Sequence, residues 1–188
     1  MVYERHPRAQ GASVRNFGML WPIGQPLGPL YQLALRSLAI WLEVLQASGL
    51  WYKRTGSLHL AYHDDEAQVL REFVSEGTGS ERPCELWKAD AVTAQFPATV
   101  REGLRAGLWS PIEVMVDPRQ VIAELPAWLA RTYGVKFLYD TPVVADDLPS
   151  SEGPGACDAR HYVICTGADF RDLAPKAFAE SGLAVCKL

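Results

Sequence analysis

The stretch Val2-Tyr3-Glu4-Arg5-His6-Pro7-Arg8-Ala9-Gln10-Gly11-Ala12-Ser13-Val14-Arg15-Asn16-Phe17-Gly18 decides how this chain of 188 residues is read. Its first residues have the character of the end of a strand, and a strand needs neighbours to take its backbone hydrogen bonds. Residues 11–18 then form a glycine-punctuated loop. Glycines let backbone amides come close to a ligand, and Ser13, Arg15 and Asn16 add side-chain donors. Glycine and serine are also ordinary loop residues, so the reading needs support from the rest of the chain.

Working outward, Pro22, Gly24, Pro26, Gly28 and Pro29 extend the irregular region up to a helix. There Leu30, Leu33, Ala34, Leu38, Trp41, Leu42 and Leu45 recur at steps of three and four, and Ser48-Gly49 closes the stripe. Leu50-Trp51-Tyr52 and Ser57-Leu58-His59-Leu60-Ala61 read as short strands broken at Gly56. Asp64-Asp65-Glu66 predicts an N-cap and first-turn acids for a helix carrying Val69, Leu70, Phe73 and Val74, which Gly77 stops. A loop over residues 77–83, a short helix over 89–95 ended by Pro97, and a β region over 107–115 follow. Asp117-Pro118 is the clearest helix start, because the Asp side chain caps free amides and proline fits the first helical position. The stripe Val121, Ile122, Leu125, Trp128, Leu129 continues that helix, Pro126 predicts a kink, and Gly134 ends it. Residues 135–139 and 142–145 read as two strands, residues 149–155 as a hairpin-like loop, and His161-Tyr162-Val163-Ile164-Cys165 as a buried strand running into Thr166-Gly167-Ala168.

The composition, 48% hydrophobic and 21% charged, is that of an ordinary globular chain of about one domain and excludes disorder and collagen-like repeats. Eighteen Lys plus Arg against 22 Asp plus Glu leave a net charge of −4, with no surplus for non-specific binding to nucleic acid or anionic lipid. No apolar run reaches the roughly 18 residues of a membrane span, and the first eight residues lack the apolar core of a secretion signal. The expectation is a cytoplasmic protein with no membrane span and no nucleic-acid partner. Cys84, Cys157, Cys165 and Cys186 are scattered, without a Cys-x-x-Cys pair, and read as free thiols of a reducing compartment. His59 and His63 lie in an alternating, strand-like run with no carboxylate or thiol at ligand spacing, so no metal site is expected.

Taken in order, several motifs resemble the FAD-dependent oxidoreductases of the D-amino-acid oxidase, glycine oxidase and sarcosine oxidase superfamily. They are Tyr3-Glu4-Arg5 with the loop over residues 11–18, the Val116-Asp117-Pro118 helix entry, and the Val163-Ile164-Cys165-Thr166-Gly167-Ala168 strand end. The resemblance extends over nearly the whole chain. Within the superfamily, Leu108-Trp109-Ser110-Pro111-Ile112-Glu113 and Val185-Cys186-Lys187-Leu188 look most like a bacterial branch associated with phosphonate use.

The resemblance implies an α/β fold: a partial, discontinuous FAD-binding Rossmann-like domain with an inserted α+β substrate domain. The corresponding limits are residues 1–48 and 116–182 for the FAD-binding part, 49–115 for the substrate region, and 183–188 for the start of a further substrate-domain segment. FAD is the implied cofactor. Glu4 then stands, beside Arg5, at the end of a second Rossmann strand, where an acid accepts the ribose hydroxyl hydrogens. Gly11, Ala12, Ser13, Arg15, Asn16 and Gly18 would face pyrophosphate or flavin oxygens. The backbone of Val143 and Val144 would lie at the adenine edge, and Thr166, Gly167 and Ala168 would pass close to the cofactor at the carboxyl edge of the sheet. Each has a plainer reading: a surface glutamate, a polar loop, a buried strand and a strand-to-loop turn.

The implied activity oxidises the C–N bond of an amine or amino acid by hydride transfer to flavin. Such a small-molecule substrate needs a cation for its anionic group and an apolar wall that orients its C–H bond. Lys53, Arg54 and Arg105 are the possible anchors and Trp51, Tyr52 and Trp109 the possible walls, of which Lys53, Arg54 and Trp109 are the chosen candidates; packing accounts for them as well. No catalytic residue is assigned. The Gly-x-Gly-x-x-Gly turn expected about twenty residues before the acid does not precede Glu4, and Gly77-Thr78-Gly79-Ser80-Glu81-Arg82 follows a helix instead. The chain is therefore expected to be an inactive internal fragment that binds FAD weakly or not at all, and whose exposed sheet edges promote self-association. The alternative is a non-catalytic scaffold or subunit module derived from the same fold. An NAD-dependent dehydrogenase would need the same missing glycines.

Overall fold

The computed structural model describes residues 1–76, 82–144 and 159–182. The chain divides into two compact units, one of Asn16–Leu125 and one that joins Met1–Arg15 to Pro126–Leu188. This division by contact is of a different kind from the functional limits read from the sequence, and each unit is taken by itself.

Within Asn16–Leu125, helix α1 (Pro29–Ser48) begins on a proline, whose missing N–H costs nothing in a first turn, and ends where Gly49 turns left-handed at φ 73°. Tyr31, Leu38 and Leu45, two turns apart, form its buried face. Three short strands, β2 (Met19–Leu20), β3 (Tyr52–Arg54) and β7 (Val114–Val116), make an antiparallel sheet in the order β2-β7-β3. Leu45, Leu50 and Val116 form a core cluster with Leu20, Trp41, Tyr52, Val121 and Leu125 around it. Each such buried aliphatic side chain contributes about 1.5–3 kcal/mol.

A second antiparallel sheet places β6 (Ala106–Ser110) between β4 (Ser57–Ala61) and β5 (Glu85–Lys88). Side chains alternate across a strand, so Ser57, His59 and Ala61 share one face with their partners Ser110, Leu108 and Ala106. Helix α2 (Asp64–Glu76) covers part of that face through Ala67 and Leu70. Helix α3 (Ala89–Gln95) brings Val92 against Leu58 and Trp87, which belong to the other face. Between β3 and β4 the chain bends at Gly56, where φ is 63° and a Cβ would stand 2.4 Å from the Trp109 ring and 2.6 Å from the Ser110 carbonyl.

Two strands here were not expected. Met19–Leu20 lay in the irregular segment and Glu85–Lys88 followed a predicted loop; both are short and exist through their ladders to β7 and β6. The strand expected at Leu50 lies slightly later, at Tyr52–Arg54. The start of α2 also differs. Ala67 N–H bonds to the His63 carbonyl, so His63 is the cap, and Asp64, Asp65 and Glu66 all fill the first turn. The Glu66 carboxylate reaches back to accept the N–H groups of Tyr62 at 2.8 Å and His63 at 3.0 Å, half of a capping box.

Helix α4 (Pro118–Tyr133) begins as expected, with Asp117 Oδ1 accepting the Arg119 N–H at 2.9 Å, and it runs on through Pro126 to Gly134. Its second half belongs to the other unit. There β1 (Val2–Tyr3) pairs in parallel with β8 (Phe137–Leu138), and α5 (Phe170–Leu173) and α6 (Pro175–Ser181) follow near the end. Parallel and antiparallel sheets thus coexist in a mixed α/β fold. Residues 142–144 are not a strand, and β8 is shorter than the run read over 135–139. Residues 161–165 are neither a strand nor buried, with Val163 85% exposed. An apolar run becomes a strand only where another backbone pairs with it, and no strand ladder among the described residues includes this one.

The loops expected over 77–81 and 149–155, Gly77 as a helix stop, Ala145, Cys157, and the segment 183–188 with Cys186 lie outside the described residues. Among the described residues Cys84 and Cys165 are free thiols. No helix among them is long and apolar enough to cross a membrane.

Candidate functional site

Glu4 follows directly on β1 and is fixed by its backbone: its N–H bonds to the Leu138 carbonyl and its own carbonyl accepts the Thr141 N–H. Its Oε1 accepts the His6 N–H at 2.9 Å, and the second oxygen has no partner among the described residues. The neighbouring Arg5 pairs with Asp169 Oδ2 at 2.9 Å. Both side chains are about half exposed, so the pair contributes at most about 1 kcal/mol. Its value is geometric, since it joins the end of β1 to the 3-10 turn Gly167–Asp169. Gly167 has φ 58°, and just before it the Thr166 Oγ1 is buried without a hydrogen-bond partner among the described residues. Buried hydroxyls in folded proteins are nearly always satisfied, so this one is suited to a ligand oxygen or nitrogen. Ala168 lies within the same turn.

Gly11, Ala12 and Ser13 belong to the same unit, in a 3-10 turn Gly11–Val14 with no buried residue, and Arg15 caps it by donating its N–H to the Ala12 carbonyl at 3.1 Å. Val143 is half-buried and Val144 is 58% exposed, on irregular backbone. Core packing is therefore not what employs Val144.

The remaining sequence candidates fall in the unit Asn16–Leu125. Asn16 Oδ1 accepts the Gly18 N–H at 3.0 Å, a local turn. Gly18, at φ 76°, would place a Cβ 2.2 Å from the Val116 carbonyl oxygen, so its close packing on β7 is enough to require glycine. Lys53 and Arg54 are exposed on β3 and carry no ion pair among the described residues. Arg105 pairs with Asp64 at 3.1 Å. Trp109 joins an aromatic cluster with Trp87 at 5.5 Å and Phe96 at 5.6 Å, which are themselves 6.3 Å apart, while Tyr52 packs in the core and Trp51 is 46% exposed.

The same unit contains a polar cluster that sequence reasoning missed. Glu113 is 1% exposed, Arg82 3% and Tyr31 0%. Glu113 Oε1 accepts the Ile23 N–H at 3.3 Å, but its Oε2 has no partner. The Arg82 guanidinium lies 4.0 Å from the centre of the Phe73 ring and 5.6 Å from that of Tyr31, a cation–π arrangement. Among the described residues it donates to the Gln25 carbonyl at 3.4 Å and leaves Nε and Nη1 unpartnered, as is the Tyr31 hydroxyl. Beside them His59 stacks on Trp21 at 5.4 Å, with its Nε2 3.3 Å from Ser57 Oγ. Burial pushes the His59 pKa below its usual 6.5, against the opposing charge of Glu113. Burial likewise pushes up the Tyr31 hydroxyl and the Cys84 thiol, with Arg82 opposing both shifts. Arg82 sits in a polar loop and Glu113 between Ile112 and Val114, so no periodicity marks either; only their enclosure in space reveals them.

The DAO family model, described as FAD dependent oxidoreductase, matches residues 1–185. A search of curated proteins finds no match. Among solved structures, glycine oxidase from Geobacillus kaustophilus is similar at TM-score 0.74 and 23% identity, over 94% of this chain and 50% of that one. L-proline dehydrogenase from P. horikoshii is similar at 0.65 and 22%, over 74% and 37%. The L-alpha-glycerophosphate oxidase of Mycoplasma pneumoniae, determined with FAD bound, is similar at 0.62 and 17%, over 75% and 38%. At these identities the likeness is one of fold, and the chain spans from 37% to 50% of the length of these structures.

Proposed function

Because this chain belongs to the FAD-dependent oxidoreductase family, we propose that it carries FAD-binding residues and part of the substrate region of an enzyme that oxidises the C–N bond of an amine or amino acid. The supporting observation is the Arg5–Asp169 pair, which draws Glu4 and the Thr166–Gly167 turn into one place where Thr166 Oγ1 is buried and unpartnered. These residues fit the cofactor. The unpartnered Glu4 oxygen would accept from a ribose diol, while backbone amides of Gly11, Ala12 and Ser13 with the Arg15 guanidinium would meet the diphosphate. The backbone at Val143 and Val144 would border the adenine, and Thr166, Gly167 and Ala168 would lie along the remainder. FAD, when bound, supplies the electron acceptor for oxidation of a C–H bond.

The chain's own part is to bind and orient. Lys53 and Arg54, cations without an ion pair among the described residues, are proposed to draw in an anionic substrate group, and Trp109, in an aromatic cluster with Trp87 and Phe96, to present an apolar wall. A C–N rather than a C–O bond is favoured because two of the structures compared above are named for glycine and proline. The test is anaerobic mixing of the full gene product, loaded with FAD, with glycine, L-proline and secondary amines. Loss of the oxidised-flavin absorbance is expected; its absence with every amine, or its occurrence only with glycerol 3-phosphate, would overturn the C–N reading.

A further inference from the structure

We propose that Glu113 is a positioning residue: its buried carboxylate, joined through ordered water to Arg82 and Tyr31, holds the turn over residues 21–24 so that Trp21 lies against His59. Glu113 ties three segments together. Its Oε1 accepts the Ile23 N–H, and its backbone carbonyl accepts the N–H groups of Thr55 at 3.2 Å and Gly56 at 3.0 Å. A carboxylate 99% removed from solvent is costly, and an apolar residue would fill the same volume at lower cost. The compensating charge is Arg82, buried in the same cluster but without an ion pair to Glu113 within 4 Å.

Four unpartnered atoms result: Glu113 Oε2 as acceptor, and Arg82 Nε, Arg82 Nη1 and the Tyr31 hydroxyl as donors. They are close enough that the charges of both Arg82 and Glu113 act on Tyr31 and on Cys84. Water is the small partner that both donates and accepts, and an interior site with several polar neighbours is where it binds. What the hub holds is well defined. Ile23 lies in the 3-10 turn Pro22–Gly24, and Trp21, immediately before it, is folded over Gly24 so closely that a Cβ there would stand 2.6 Å from the indole ring. Trp21 also stacks on His59. Releasing Ile23 therefore frees the Trp21–His59 contact. Residues 19–21 also run directly out of the loop assigned to FAD, so the hub's consequence for catalysis, though not the positioning itself, rests on the proposed function.

Hydrogen exchange and histidine NMR on this chain test the idea. In Glu113→Ala the Ile23 amide should exchange at least about tenfold faster, the equivalent of one charge-assisted hydrogen bond, while the Val92 amide in α3 keeps its rate; the His59 ring protons should lose the upfield shift caused by Trp21. Glu113→Gln keeps an acceptor for Ile23 and should restore its protection, yet lower the His59 titration midpoint because the anion opposing its burial is gone. Should Glu113→Ala fail to fold, the Gln variant carries the test alone. Unchanged Ile23 exchange in the Ala variant, an unmoved His59 midpoint in the Gln variant, or a crystal structure with no water bridging Glu113 Oε2 and Arg82 would overturn the proposal. Absence of flavin bleaching by every amine, with Ile23 protected as expected, would count against the proposed function alone.

Discussion

Burial lowers the His59 pKa below 6.5, and that has a signed consequence for stability. Its folded pKa lies below the value of about 6.5 that the unfolded chain keeps, so below that pH the unfolded state takes up a proton that the folded state does not. Stability is thus fully present above pH 6.5, falls as pH drops toward the folded pKa, and levels off beneath it. The urea midpoint of the wild type should fall more steeply between neutral pH and pH 5 than that of His59→Gln, the carboxylates being common to both. Two glycines give a second residue-scale comparison. Gly49 and Gly56 both have positive φ, but a Cβ at Gly49 meets nothing within 4 Å, whereas at Gly56 it collides with Trp109 and Ser110. Gly49→Ala should cost about 1–2 kcal/mol from backbone strain. Gly56→Ala should cost roughly a further 1–3 kcal/mol from overpacking, measured by denaturant unfolding.

At the scale of elements, α1 to α4 were legible because their signals are local, whereas α5 and α6 were not read from the sequence. Asp117 caps α4 as its sequence announces, and Asp117→Ala should lower stability by about 1 kcal/mol while Asp117→Asn, which keeps an acceptor, leaves it nearly unchanged. Equilibrium unfolding of the two variants distinguishes a capping role from a general need for charge. In α2 the acids were recognised but the cap was misplaced, because Asp64 and His63 differ only in which carbonyl accepts the Ala67 N–H. The N–H groups of His63 and Tyr62 hold the Glu66 pKa below its ordinary range, so its support for the helix start is present above about pH 4.5 and is lost as pH falls through the folded value. Strands were less legible. Leu58 to Leu60 alternate visibly, but Met19–Leu20 owes its existence to β7, and Val163, in no strand ladder among the described residues, stays in solvent.

For the whole molecule, the motifs at Glu4, Gly11, Asp117 and Thr166 pointed to the family that the match over residues 1–185 shows, and FAD is that family's cofactor. The residues proposed to hold FAD stand on one short parallel pair and two exposed turns, in a chain spanning at most 50% of the length of the similar structures described above. Titrated with FAD and followed by flavin fluorescence, this chain should bind more weakly than micromolar, and Glu4→Ala should weaken the binding further; stoichiometric micromolar binding would contradict this. The sequence by itself carried the motifs whose resemblance pointed to the family and its cofactor class, and it marked the end of α1 and the start of α4, because caps, glycine spacing and apolar periodicity act between residues near in the chain. Only the tertiary structure decided that Gly18 serves packing on β7, that Val163 remains exposed, and that Tyr31, Arg82 and Glu113 meet in the interior. Burial and charge pairing depend on which distant segments are brought alongside, and no stretch of sequence around a single residue contains that information.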